Sequence, residues 1–457
     1  MDTGHAAWVL TSASLVLLMT PGLAFFYGGM TRAKSVLNMM MMSFGALGAV
    51  TVVYVLWGWS MSYGPDVFGA GAAGLAGNPF DQFGLEGTPP GDYLAVAFQL
   101  TFAVITAALV SGAIADRTRF STWMVFVPLW VTFSYFPLAH MVWGGGFLSG
   151  SPGALATRLF DGVAPVDYAG GTVVHINAGM AGLVLALLLG VRRGFGREVI
   201  RPHNLPLTML GAGLLWFGWY GFNVGSFVPS TTAGVAGTQA GFFGNSVRFA
   251  TSFAGETGLV WVNTTAATAA AMLGWLLVEK VRDGKGTSLG AASGVVAGLV
   301  AVTPACGSLS PVGSLALGVV AGGLCSLAVG LKYRFGYDDS LDVVGVHLVG
   351  GLVGTIAIGF LATDGGLFYG GGVRQLVVQT LVALFAMAWS GAATLGIGLA
   401  LKHTVGWRIP EEDEVEGIDF AEHGETAYDF ANRPAGPRLP SAGVATGTSL
   451  RSEGVKA

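Results

Sequence analysis

Two stretches of this chain read alike. One is Asp167-Tyr-Ala-Gly-Gly-Thr-Val-Val-His175-Ile-Asn-Ala-Gly179, and the other is Asp339-Ser-Leu-Asp-Val-Val-Gly-Val-His347-Leu-Val-Gly-Gly351. Both follow D-x7-H-x3-G, and the two histidines are 172 residues apart. Each motif opens a run of apolar residues, and about 20 such residues cross a hydrocarbon core. Eight residues past its aspartate, each histidine lies roughly 12 Å along a helix. In a core about 30 Å thick that is close to the midplane. An ionisable ring at such a depth is costly and functional by default.

The composition around these motifs agrees with a membrane setting. Of 457 residues, 53% are hydrophobic and 11% charged, where a soluble domain carries about 25% charged residues. Mean hydropathy is +0.64. Glycine is 73 of 457 without a period of three, which excludes collagen and suits membrane helices that approach closely through small residues. Disorder, a coiled coil and an ordinary cytosolic enzyme are excluded as well. The net charge of −4 says little, because the charges are segregated into loops and the tail. No basic face exists outside the membrane-flanking loops, which argues against a nucleic-acid partner. Cys306 and Cys325 both sit in apolar stretches and read as core packing, not as a disulfide or metal site.

Eleven apolar runs are long enough to span: 6–29, 38–62, 93–114, 121–143, 168–191, 205–226, 256–279, 287–305, 311–331, 343–362 and 374–401. They are continuously apolar, which rejects a β-barrel. The first has no basic stretch before it and reads as a span, not a cleaved leader. One set of loops holds thirteen Lys and Arg, whereas the other holds only Arg158, Arg248 and Arg374. The basic set marks the cytoplasm, so the N-terminus is expected outside and the tail from about Lys402 inside. The largest external loop, 63–92, carries Asp66, Asp81, Glu86 and Asp92 and no basic residue. The two motifs then fall in spans five and ten, which run in opposite directions. An inverted five-plus-five repeat has this property. The fold expected is all-α and polytopic, with eleven transmembrane helices.

Three readings of the histidines compete. Each is a neutral ring packed against a carbonyl, or the two are ligands of a haem, or they line a substrate path. The neighbouring aromatics favour the last. Phe98 and Phe102 share a helix face in span three. Trp219, Phe222 and Ser226 follow one another at i, i+3 and i+7 in span six, and Trp143 ends span four. Phe98, Phe102, Phe222, Ser226 and Trp143 are expected in the external half, above His175. Singly, each reads as an interfacial anchor. Together, aromatic faces and a hydroxyl suit a small cation.

These motifs carry a resemblance to the ammonium transporter family (Amt, methylammonium permease and Rhesus relatives). It rests on DYAGGTVVHINAG at 167–179, DDSLDVVGVH at 338–347, GWYGFNVGS at 218–226, FQLTF at 98–102, MVWGGG at 141–146 and IPEEDEVEGIDFAEHGETAY at 409–428. The resemblance implies a transporter of ammonium and methylammonium, not an enzyme, with no cofactor and no metal. It implies that Phe102, Trp143 and Ser226 form an external recruitment site, and that Phe102 and Phe222 are a stacked gate beneath it. His175 and His347 would be the pore histidines, Trp219 a pore-lining residue, and Asp167 an orienting carboxylate. It also implies a homotrimer in the bilayer of the inner (plasma) membrane and a PII-type signalling protein at the cytoplasmic face. A Rhesus-like gas channel would share the fold, although Trp143, Ser226 and the acidic tail favour Amt. A sensor would need an output domain longer than this tail.

The chain divides, on this reading, into a transport domain over 1–402 and a cytoplasmic tail over 403–457. The tail holds ten of the 26 acidic residues, beginning at Glu411-Glu412-Asp413-Glu414. Residues 406–430 interleave Trp407, Ile409, Ile418, Phe420, Tyr428 and Phe430 with acids and read as an ordered regulatory motif. Residues 432–457 are rich in Pro, Gly, Ser and Ala and read as disordered.

Overall fold

The structure is a computed structural model. It describes residues 3–67, 73–151, 153–227 and 246–428, without the side chains of 156–157 and 246–252. Phe430 and the stretch 432–457 lie outside the described residues. Among the described residues there is no strand, and the regular structure is helical.

Eleven helical segments correspond to the expected spans. They are α1 (Thr3–Met30), α2 (Val36–Tyr63), α3 (Pro90–Ile114), α4 (Phe120–Val142), α5 (Gly171–Leu189), α6 (Leu205–Val224), α7 (Ser246–Asp283), α8 (Ser288–Val302), α9 (Pro311–Phe335), α10 (Val344–Leu361) and α11 (Arg374–Thr404). Nine of them, among the described residues, are long and apolar enough to cross a membrane. The other two fall short for different reasons. α6 has 20 residues but is diluted by Trp, Tyr, Gly and Asn; α8 has only 15. The chain is a multi-pass membrane protein, and a count of eleven is reached only when these two are added.

The glycine excess serves helix contact. Gly318 and Gly322 lie one turn apart on α9, and a Cβ on either would overlap the carbonyl of Ala267 or Ala271 on α7. Backbone therefore meets backbone there, which only small residues allow.

The two motifs share more than sequence. Gly171–Ile176 at the head of α5 and Val344–Leu348 at the head of α10 are both π-helical turns, and they carry His175 and His347. Such turns are rare and gather at functional sites. Each is held by its motif aspartate. The Asp167 carboxylate accepts from the amides of Gly170, Gly171, Thr172 and Val173 at 2.6–3.1 Å. Asp339 accepts from Val343 and Val344 at 3.0 and 2.7 Å. The closing glycines are reciprocal. A Cβ on Gly179 would overlap the backbone of Leu348, while one on Gly351 would sit 3.2 Å from the His175 Cβ and 3.1 Å from Ile176. Going forward along α5 is therefore going backward along α10, and the two motifs cross antiparallel.

Beyond α11 the tail packs back onto the helices. Trp407, Ile409 and Ile418 are buried. Trp407 donates its indole N–H to Gly398 O at 2.9 Å. Two short helices follow, α12 (Glu411–Glu416) and α13 (Ile418–His423). Six residues cannot hold a helix alone in water, so these two depend on the surface beneath them.

Candidate functional site

The residues singled out from sequence meet in one column. At its upper end Phe102 from α3 stacks on Phe222 from α6, with ring centroids 4.0 Å apart and planes 6° from parallel. Both rings are buried. Phe98 sits one turn from Phe102 at 4.8 Å, and Trp143, which ends α4, meets Phe102 edge-on at 6.1 Å. The Trp143 indole N–H donates to Asp167 O at 2.8 Å. Ser226, one turn beyond Phe222, donates its hydroxyl back to Phe222 O at 2.8 Å. That is the ordinary bond of a helical serine to the carbonyl four residues earlier, and it leaves the oxygen's lone pairs free to accept.

Beneath the stack lies a narrow apolar cavity of about 10 Å³, room for one molecule the size of water. His175, His347, Trp219 and Phe222 line it together with Ile105, Leu109, Val174, Leu215, Val296, Met19 and Leu23. The two histidines face each other with Nδ1 atoms 3.2 Å apart and ring planes 18° from parallel. Two imidazole nitrogens at that distance need one proton between them. If both rings are neutral, one donates from Nδ1 and the other accepts, so they hold opposite tautomers. Direct contact leaves no gap for a metal-centred macrocycle between the rings, so the haem arrangement does not fit.

Trp219 lies flat on His175 at 5.4 Å and 12°. Its indole N–H is held by Thr303 Oγ1 at 2.8 Å, with Asn223 Oδ1 3.3 Å from the same hydroxyl. Asp167, the expected orienting residue, touches neither histidine ring. All its bonding capacity goes to four amides of the turn that carries His175. Its carboxylate holds backbone and not a ring.

Sequence reasoning missed several residues here. Ile105 and Leu109 are three and seven residues past Phe102, so they continue its helix face; an apolar residue at helical spacing looks the same whether it lines a pore or a core. Thr303, Asn223 and Gln379 carry no local signal at all, since the bonds that tie them to the site span 84, 80 and 213 residues.

Past the far end of α5 and just ahead of the first turn of α10, a buried charge cluster closes the structure on the tail side. Arg192 forks onto Asp338 with two bonds of 2.9 Å and reaches Asp116 at 2.8 Å. Arg117, wholly buried, bonds Asp338 O at 2.6 Å and Ser340 Oγ at 2.5 Å. Burial pushes the Arg117 guanidinium down to about 10, against the pull of Asp338. Burial alone would raise Asp338, but its bonds to Arg192 hold it below the usual carboxylate range. Burial raises Asp339. Among the described residues no group of three or more His, Cys, Asp or Glu is placed to hold a metal ion.

The model of the Ammonium Transporter Family matches residues 7–428. An ammonium transporter of Mycobacterium tuberculosis is 52% identical over 466 aligned residues, covering 94% of this chain and 91% of its own. One from Aquifex aeolicus is 43% identical, covering 94% of each chain. Among solved structures, Mep2 of Candida albicans superposes with a TM-score of 0.77 at 31% identity, over 95% of this chain and 93% of that one. A protein described as a Sensor Amt Protein superposes with a TM-score of 0.78 at 28% identity, over 92% and 98%.

Proposed function

The chain belongs to the ammonium transporter family, and from that premise we propose how its column of residues handles the ion. The protein is a transporter of ammonium and not an enzyme. In the mechanism we infer, the ammonium ion is collected outside the Phe102–Phe222 stack, where the faces of Phe102 and Trp143 attract a cation and Ser226 accepts a hydrogen bond. The apolar cavity below penalises any ion. Potassium cannot shed its charge. Ammonium can, by giving one proton to water on the outer side of the stack or to the histidine pair beneath it, and the neutral ammonia left behind fits a space of one water-sized molecule.

Within the cavity the histidine pair presents one donor and one acceptor to an otherwise apolar passage. Two imidazoles in contact cannot both be charged cheaply, so the pair holds at most one extra proton. It passes ammonia along with or without that proton. Trp219 keeps the His175 ring flat in the wall, and Asp167 keeps the backbone beneath it in register. The observation that carries this reading is the Nδ1 contact of 3.2 Å placed in an apolar cavity directly below two stacked rings.

The same reading places the N-terminus outside and the tail in the cytoplasm of the plasma membrane, from the Lys and Arg asymmetry of the loops. It divides the chain into a transport domain, 1–402, and a tail, 403–457, whose part up to Tyr428 acts on the helices it covers. It takes the working form to be a homotrimer with a pore in each subunit. A PII-type signalling protein docks at the cytoplasmic face, on the basic loop 192–201 and the acids of α12.

The test is uptake of radiolabelled methylammonium into proteoliposomes with potassium in large excess, together with current recording on ammonium pulses. Uptake that potassium does not reduce is expected. Strong competition by potassium would overturn the mechanism. An inward current would show that the proton crosses too, and its absence would mark a neutral ammonia pathway.

A further inference from the structure

The segment that delivers Asp167 to the site runs without helix from Val163 to Val166, and α11 holds it. Gln379, 1% exposed, uses both ends of its amide on one residue. Its Oε1 accepts the Val166 N–H at 2.8 Å, and its Nε2 donates to Val166 O at 2.8 Å. Because the Val166 N–H can only donate, the orientation of the amide is settled. The second proton on Nε2 goes to Thr355 O on α10 at 3.2 Å. One turn earlier, Gln375 donates to Ala164 O and to Gln379 Oε1, both at 3.2 Å. The spacing explains the ladder. Four residues along a helix rise about 6 Å, and two residues of extended chain cover about 6.6 Å. Gln375 and Gln379 therefore match Ala164 and Val166 as an i, i+4 face against an i, i+2 strand.

The next residue is Asp167, whose carbonyl holds the Trp143 indole and whose carboxylate holds the turn of His175. From this we infer that Gln379 is a positioning residue of the recruitment site: its amide clamps Val166 and so sets Trp143 and the mouth of the pore. The inference rests on the proposed role of Trp143 in collecting ammonium. It assigns Gln379 no contact with the ion. Loss of the clamp lets the 163–167 segment shift against α11 and α10, and the site then pays to reassemble each time a cation arrives.

A purely structural glutamine and a positioning one can be told apart by Gln379→Glu. A protonated carboxyl keeps the pattern at Val166, one donor to its O and one acceptor for its N–H, and gives up only the bond to Thr355 O. An ionised carboxyl offers only acceptors and opposes Val166 O. The variant is therefore read at pH 5.5, which favours the protonated carboxyl, and at pH 8, which favours the ionised one. The measurement is methylammonium uptake by reconstituted full-length protein, with KM and maximal rate compared with the unmodified chain at each pH.

At pH 5.5, Gln379→Glu is expected within about twofold of the unmodified KM. At pH 8 its KM should be about tenfold higher, the scale of one or two lost hydrogen bonds, with maximal rate unchanged. Gln379→Leu should show the raised KM at both values. A KM ratio of one for both variants at both pH values would overturn the inference. So would a fall in maximal rate and protein yield with KM unmoved, the mark of a structural role only. Trp143→Leu separates the layers. If it raises KM and the Gln379 variants do not, the clamp alone is refuted; if it leaves KM unmoved, the recruitment site itself is refuted and the clamp with it.

Discussion

Asp419 offers the sharpest test of how the tail holds the membrane helices. It lies 382 residues from Leu37, yet its carboxylate accepts the amides of Leu37 and Asn38 at 3.0 and 2.8 Å. Those are the orphan donors at the start of α2, whose own leading residue, Ser35, makes no side-chain cap. The cap is supplied by the tail. His423 adds a contact of 3.0 Å to Asn38, and Glu422 accepts the Phe120 amide, the first of α4, at 3.0 Å. Replacing Asp419 with alanine removes both bonds to α2 in a site that is 2% exposed. Loss of a helix cap costs about 2 kcal/mol at the upper end of the measured range. That is roughly a thirty-fold shift towards a released tail. Asp419→Asn keeps one acceptor and should lose less. The assay is hydrogen exchange by mass spectrometry on the full-length protein, read at 36–39 and 411–423. Faster exchange in both windows is expected for Asp419→Ala, with Asp419→Asn between it and the unmodified chain. Exchange unchanged in both windows would refute the reasoning. Acidity has a defined sign here. Burial raises the Asp419 carboxyl, and the amide bonds of Asn38 and Leu37 pull it back only in part. Docking is therefore fully favoured below the free carboxyl's value of about 3.9 and weakens as pH rises through the docked value. Mild acid should tighten the tail.

Further outcomes follow from the same geometry. His175→Ala and His347→Ala should abolish conduction while leaving the folded protein intact in size-exclusion and melting profiles, whereas His175→Asp or His347→Glu should keep some conduction and admit bare ions, read as potassium flux. Gly179→Ala should cost about 1–3 kcal/mol through overlap with Leu348, seen as a lower melting temperature, and Gly351→Ala less, because a Cβ there would meet Ile176, His175 and the Gly171 carbonyl at 3.1–3.2 Å, where small shifts suffice, and would not overlap backbone as at Gly179. Arg192→Met leaves Asp338 and Asp116 buried beside Arg117 and should cost about 3–5 kcal/mol. Because Asp338 is depressed, its contribution is present above the usual carboxylate value and lost only as pH falls through the depressed one, so the melting temperature of the unmodified protein should stay flat from pH 7 to pH 5 in this respect. A chain truncated after Thr404 should lose or uncouple transport and lose PII-type protein capture, restored together when 406–430 is returned.

Much of this was written locally in the chain. Apolar runs of 20 residues announce themselves within a window of one helix, because the bilayer imposes their length and their backbone must bond within the segment. The motif D-x7-H-x3-G could be read as an aspartate that starts a helix and a histidine held at depth, since both facts depend on residues within eight positions. The shared face of Phe98 and Phe102 follows from helical period alone. Sequence also named the two histidines as a pair, by the opposed direction of two similar spans.

What it left open was decided by packing. The 3.2 Å contact of His175 and His347 needs the antiparallel crossing of α5 and α10, which Gly179 and Gly351 permit by giving up their side chains to each other's backbone. The π-helical turns depend on a carboxylate that satisfies amides the helix cannot, and nothing in the bare alternation of residues distinguishes that from an ordinary helix start. Gln379 and Asp419 look like any buried-face glutamine and any tail acid until the fold lays an extended segment against one and a bare helix end against the other. Hydropathy is a property of single residues and is summed along the chain. A hydrogen bond across 213 or 382 positions is a property of two surfaces, and it exists only once the helices between them have been placed.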